Sequence, residues 1–237
     1  MKNILPYIMV AGEVHNSASS TAEAMQPVWE KAEELHLNTV LAPVTWEMLE
    51  PTEGTFDYTA VDMLLAGARE HKMHLVLLWF GAWKNAQCYY APAWVKQDLT
   101  RFARAEVEPG KPKTSLKQYH GMGYTTLSAF CAETCRADAR AFAALMAHLK
   151  QGDSAEHTVL MVQVENETGL QGAAREHSAA ADAAFAADVP ADLLAYLKAN
   201  TAEMTEDVRT AVENAPTSGD WQTVFGGVAE EIFSAYY

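Results

Sequence analysis

The 237-residue sequence has no run of 18 uninterrupted apolar residues, so it holds no candidate membrane-spanning helix. Basic residues are scarce: 17 Lys and Arg stand against 31 Asp and Glu, a formal charge of −14. A nucleic-acid-binding face needs cations to displace counterions from phosphate, so this balance excludes nucleic acid and favours a neutral partner. Cysteine is nearly absent, and Cys88, Cys131 and Cys135 contain no C-x-x-C pair and cannot make a complete disulfide set. They read as buried or idle thiols. Neither a G-x-G-x-x-G turn nor a Walker sequence occurs, which removes the usual phosphate cradles. The spacings H-x-x-x-H and H-x-H are missing too, so His15, His120 and His177 read as surface or hydrogen-bonded pocket groups, not zinc ligands. Met1-Lys2-Asn3 resembles the start of a secretion signal, but Pro6 interrupts the apolar run and Glu13 follows without a small-residue cleavage site. As written, the chain is expected in the cytoplasm; a longer relative with a leader would be periplasmic or secreted.

What is present alternates. Continuous apolar runs at Ile4 to Ala11, Asn38 to Val44, Met73 to Phe80 and Thr158 to Val164 have strand length and β-branched content. Between the first two, Ser20-x-x-Glu23 reads as a capping box opening a helix with Met25, Val28, Trp29, Ala32 and Leu35 on one face. Asp57 precedes a second helix carrying Val61, Leu64, Leu65 and Ala68. A loop around Pro109 to Lys117 leads to an Ala-rich helix near Arg136 to Lys150. Strands buried on both faces and joined by helices predict an α/β fold with a parallel sheet. Polar and aromatic residues cluster just past the strand ends, where a (β/α)8 TIM barrel builds its site, and this favours the barrel over an open doubly wound sheet. From Glu167 to Tyr237 the chain turns acidic, with 3 basic against 12 acidic residues, and helical, with a short strand candidate at Trp221 to Phe225. About four of eight barrel strands are accounted for, in one domain over 1–237.

Three strand ends carry chemistry. Val162-Gln163-Val164-Glu165-Asn166-Glu167 closes a buried strand with two carboxylates and an amide, which suits acid–base work at the mouth of a sheet. Trp46-Glu47 opens a turn that runs through Glu50-Pro51 and Gly54 to Phe56-Asp57. Trp83-Lys84-Asn85 follows the third strand. Aromatic rings beside Asn, Glu and Lys suit a sugar, whose C–H faces stack while its hydroxyls take the polar groups.

These stretches resemble the (β/α)8 retaining glycoside hydrolases, and within them the β-galactosidases of families 35 and 42. The Glu165-Asn166-Glu167 stretch is similar to the family 35 acid/base motif, and Asn38 through Trp46, Glu50-Pro51, Gly54 and Phe56-Asp57 to a second-strand signature of both families. Leu77 to Asn85 resembles a bacterial branch related to family 35. The resemblance implies a carbohydrate substrate with a terminal β-D-galactoside, no cofactor, and Glu167 as general acid/base. It makes Asn166 the partner of the hydroxyl beside the anomeric carbon and puts Glu165, Trp83, Lys84, Asn85, Glu13, His15, Trp46 and Glu47 around the substrate. A retaining enzyme needs a second carboxylate about 5 Å away as nucleophile.

In these families the nucleophile is a glutamate at the end of the seventh strand, which this chain does not reach; Glu230 and Glu231 lie in a helical pattern. Pro43 and Trp83 also stand where family 35 has a tyrosine and an acid. The expectation is therefore the amino-terminal part of such an enzyme, truncated at its C-terminal side, with exposed sheet edges that favour a homo-oligomer. The alternative is a carbohydrate-binding fragment without turnover.

Overall fold

The computed structural model describes residues 7–85, 87–108, 111–112, 126–170 and 173–237. His120, most of the loop from Pro109 to Lys117, and the start of the first apolar run at Ile4 lie outside them.

In chain order the elements begin β1 (Ala11–Glu13), α1 (Ala22–Glu34), β2 (Thr39–Thr45), α2 (Trp46–Leu49), α3 (Thr59–Glu70), β3 (His74–Lys84) and α4 (Ala93–Gln97). A two-stranded antiparallel pair comes next, β4 (Glu106–Glu108) with β5 (Lys111–Pro112), then α5 (Ala132–Gly152) and β6 (Val159–Asn166). The helices α6 (Ala179–Phe185), α7 (Ala191–Ala199), α8 (Glu206–Glu213), α9 (Trp221–Phe225) and α10 (Ala229–Tyr236) complete the chain. One sheet contains β1-β2-β3-β6 in that order, every pair parallel. The alternation read from the sequence is thus the sheet's own order.

Several boundaries differ from the sequence reading. The first strand is only Ala11–Glu13, and Tyr7 to Val10 are exposed. Thr21, not Ser20, caps α1: its backbone is extended and its hydroxyl accepts the Ala24 N–H, while Ser20 donates to the Ser17 carbonyl. The strand expected at Trp221 to Phe225 is helix α9, because Asp220 caps it by accepting the Thr223 N–H and its apolar side chains pack at helical spacing into a core. β3 continues past Phe80 to Lys84.

The chain divides into two compact units. The first comprises Met1–Phe102 with Glu133–Thr168 and contains the parallel sheet; the second comprises Ala103–Ala132 with Gly169–Tyr237. In the first, β3 is buried on both faces. Val76, Leu78 and Phe80 cluster with Leu41 and Tyr90, and the alternate residues Leu75, Leu77 and Trp79 point the other way, with the Trp79 ring 5.9 Å from Phe142 of α5. The sheet's last strand is less covered: Leu160, Met161 and Val164 of β6 are exposed. In the second unit, Val189, Leu194, Val212, Trp221, Val224, Phe225, Ala229 and Phe233 form a separate core. Arg175 there bonds Asp182 and Glu230 while lying over the Phe185 ring.

The lower end of β6 is held by one carboxylate. Asp153 accepts the N–H groups of Thr158 at 3.0 Å and Val159 at 2.8 Å and the Arg69 guanidinium at 2.7 Å. Burial opposes its charge, but these hydrogen bonds outweigh burial and hold the carboxyl below its ordinary range. Gly67 of α3 is a packing necessity of another kind, since a Cβ there would sit 2.7 Å from the Trp29 indole nitrogen.

Two outcomes are expected. Asp153→Ala should cost about 3 kcal/mol by urea denaturation, because three donors lose their acceptor. Its wild-type contribution is present above the ordinary carboxylate pKa and is lost on acidification through the depressed value, so the gap between the two proteins should narrow in acid. Gly67→Ala should cost about 1–3 kcal/mol by overpacking despite the better helix propensity of alanine.

Candidate active site

The sheet places the C-terminal ends of its parallel strands side by side, so residues far apart in sequence converge by topology. The ends of β3 and β6 are the densest part. After a one-residue shift between Leu75 and Val76, their register is regular from Val76 opposite Met161 to Trp79 opposite Val164, then jumps to Lys84 opposite Asn166. Four residues, Phe80 to Trp83, therefore stand across from one, Glu165. Such a bulge withdraws backbone N–H groups from the ladder, and buried N–H groups need a partner.

The partners are side-chain carboxyls. Glu165 Oε1 accepts the Ala82 N–H at 3.1 Å and its Oε2 the Trp83 N–H at 2.9 Å. Asp138 of α5 accepts the Trp79 indole N–H through Oδ1 and the Ala82 N–H through Oδ2, each at 2.9 Å. A Cβ on Gly81 would lie 2.5 Å from both Asp138 Oδ1 and Glu165 Oε1, so only glycine fits between the acids. Burial, reinforced by the hydrogen bond and like charge of Asp138, pushes the Glu165 carboxyl up to about 10 against the pull of the two backbone donors. The sequence reading put Glu165 among the substrate contacts; its carboxyl is turned into the bulge instead. Asp138 was missed altogether. Its signal was an acid beside Thr134, Ala137 and Ala141 on the buried stripe of an otherwise Ala-rich helix.

One step further, the buried Lys84 donates from Nζ to Asn166 Oδ1 at 2.5 Å, and the same ammonium lies 4.8 Å above the Phe80 ring. Asn85 stands in the left-handed region with φ 54°, and its side-chain oxygen and that of Gln87 are buried without a hydrogen-bond partner among the described residues. Glu165 and Glu167 also have positive φ, at 61° and 51°. Such backbone concentrates where a surrounding structure holds functional groups in place. Glu167 itself is exposed and makes no hydrogen bond or ion pair with a described residue.

The remaining sequence-derived residues separate. Trp46 presents no ring to a ligand: it is fully buried, and its indole N–H goes to Glu50 Oε2 at 2.9 Å. Glu50, also fully buried, accepts the Gly54 N–H at 2.7 Å and the Arg140 guanidinium at 2.8 Å. The Trp46-to-Gly54 signature is thus a clamp that holds its own turn. Glu47, at the end of β2, is half-buried and paired with Lys96 at 3.0 Å. Glu13 and His15 are exposed at the end of β1, and Trp83 is half-buried. No group of three metal-ligating side chains occurs among the described residues, and none of their helices is long and apolar enough to cross a membrane.

Comparison with known proteins places this arrangement. No curated protein matches the chain. Among solved structures, a family 42 β-galactosidase from G. stearothermophilus, determined as a catalytic mutant, aligns over 92% of this chain and 27% of its own, with 19% identity and a TM-score of 0.51. A β-galactosidase from the psychrophilic Marinomonas ef1 aligns over 75% of this chain and 24% of its own, with 16% identity and a TM-score of 0.52. At that identity the likeness concerns the fold, which is of the (β/α)-barrel type, and the chain spans about a quarter of these proteins' length. Residues 16–206 match the glycoside hydrolase family 42 profile, described as Beta-galactosidase. The chain belongs to glycoside hydrolase family 42, the β-galactosidase family.

Proposed function

We propose that this chain carries the acid/base part of a retaining glycosidase acting on terminal β-D-galactosides, with Glu167 as the general acid/base. The observation that carries the reading is the end of β6, where Glu167 stands free beside an Asn166 whose amide oxygen is held by a buried lysine. A retaining mechanism asks the same carboxyl to protonate the departing oxygen and later to take a proton from water, so it must reach both and be bound by neither. Asn166, oriented through its oxygen by Lys84, keeps its N–H₂ for the hydroxyl beside the anomeric carbon. The unpartnered oxygens of Asn85 and Gln87 are acceptors of the kind that sugar hydroxyls satisfy.

In this reading the nucleophile is not assigned to any of the described carboxylates. Glu165 is excluded from that role by its own bonds: a mostly protonated carboxyl with both oxygens committed cannot attack an anomeric carbon. A second reading, binding without turnover, is favoured by the oxygens of Asn85 and Gln87, buried and unpartnered among the described residues, which suit sugar hydroxyls whether or not a bond is cleaved.

The experiment is hydrolysis of two β-galactosides by wild type and Glu167→Gln, one with an alkyl or sugar leaving group and one with an activated aryl group. Loss of an acid catalyst should slow the first by about 10²–10⁴-fold and leave cleavage of the activated bond close to wild type. Equal losses on both would remove Glu167 from the acid role. Calorimetric binding of a β-galactoside by a wild-type chain that releases no product would establish the binding reading instead.

A further inference from the structure

We propose that Asp138 and Glu165 form a proton-sharing carboxyl pair that positions the acid/base strand end: by closing the β3 bulge onto β6 it sets the Lys84–Asn166 bond and the site of Glu167. The inference rests on the acid/base reading for its functional meaning, but the pairing itself stands on geometry. Two carboxyls from different elements, one on α5 and one on β6, converge on a single N–H, that of Ala82. An oxygen of each lies 2.5 Å from the point where a Cβ on Gly81 would stand. Neither carboxylate makes an ion pair with a Lys, Arg or His among the described residues, so no cation there offsets two negative charges. One proton held between them does. It removes one charge and supplies the donor that two facing acceptors lack.

The consequence runs along the chain. Glu165 is the residue before Asn166, and Trp83 the residue before Lys84. The bond from the Trp83 N–H to Glu165 Oε2 therefore joins the two strands one step from the Lys84–Asn166 bond, across the irregular register. Backbone pairing cannot do this, because the bulge has broken it. Asp138 adds to burial in keeping the Glu165 carboxyl protonated, and it takes a share of the Ala82 N–H. Asp138 and Glu165 are positioning residues here: neither touches the reacting atoms.

The charged groups around the pair are few. From β3 comes Lys84, already committed to Asn166 and the Phe80 face; from α5, Asp138 itself; from β6, the exposed Glu167 two residues on. The folded pair keeps a proton that an unfolded glutamate loses near 4.5. Its stabilisation is therefore complete below that value and is lost as pH rises toward about 10.

The test uses the intact chain and two signals that need no turnover. In protein labelled at the glutamate carboxyl carbon, the Glu165 resonance, identified by its loss in Glu165→Gln, should stay that of an acid through neutral pH and change only in alkali. The Lys84 ammonium and Asn166 amide signals should be protected in wild type and in Glu165→Gln, whose oxygen can still accept the Trp83 N–H while its amide donates to Asp138 and Asp138 keeps the Ala82 N–H, and exposed in Asp138→Ala. Asp138→Asn serves if the alanine variant does not fold, because it turns one acceptor into a donor facing an N–H. Turnover should fall in the same order: near wild type for Glu165→Gln, and down about a hundredfold in kcat with little change in KM for the Asp138 variants. A Glu165 resonance that titrates in the ordinary glutamate range overturns the pairing. An Asp138 variant that loses stability yet keeps the Lys84 and Asn166 signals and its kcat overturns the positioning role. A wild type that never turns over sinks the acid/base reading alone, and the two spectroscopic measurements still decide this one.

Discussion

Two backbone N–H groups, those of Ala82 and Trp83, control the candidate site. The bulge between Trp79 and Lys84 takes them out of the β3–β6 ladder at the buried Ala82 and the half-buried Trp83. An unsatisfied buried amide costs on the order of 1–3 kcal/mol, so the two together amount to a good part of the marginal stability of a small unit. The carboxyl of Glu165 answers both, Asp138 shares one of them, and the indole of Trp79 is drawn into the same network. The next residues along each strand, Lys84 on one and Asn166 and Glu167 on the other, stand directly beside that closure.

The same device recurs in the first unit. Asp153 receives the N–H groups that open β6, and Glu50 receives Gly54, Trp46 and Arg140 at the turn after β2. At three points where the parallel sheet gives way to irregular backbone, an inward-facing carboxyl supplies the acceptors that the ladder does not. The net charge of −14 is therefore of two kinds: solvated acids, many of them after Glu167, and a small set built into the sheet's ends. The second set bears on the candidate site.

A family 42 chain with four consecutive parallel strands has the start of the barrel's repeating arrangement. Its β6 leaves Met161 and Val164 exposed, and Tyr7 to Val10 are exposed beside β1. Those apolar groups lie where a parallel sheet of this class is ordinarily flanked on both sides. The second unit buries its own aromatic core around Trp221 and Phe233, which explains how an Ala-rich, acidic segment still folds: helical spacing of a few large side chains is enough.

Much was legible in the residues themselves. The period of the apolar runs determined strands, helices and their order, because burial on both faces of a parallel strand leaves a continuous apolar stretch and crossover helices leave a 3.6-residue stripe. The Glu-Asn-Glu ending marked the strand end at which the candidate site is built. Side-chain direction was not legible. Trp46 and Glu165 look in sequence like pocket residues, yet one is spent on Glu50 and the other on a bulge, and nothing local distinguishes those fates. Thr21 rather than Ser20 caps α1, and Trp221 to Phe225 is helical, because backbone geometry and the packing of a distant aromatic core outweighed local pattern. An acid beside the buried stripe of α5 singles out Asp138 in sequence, but its pairing with Glu165 could be found only in three dimensions. Its partner is 27 positions away, and the register jump that makes both acids necessary arises when two strands of unequal length are laid against one another. Residue order alone establishes which elements exist and where the acids are. Which acids face solvent and which hold the backbone is settled only in the folded arrangement, since that depends on amides left over after the strands have paired.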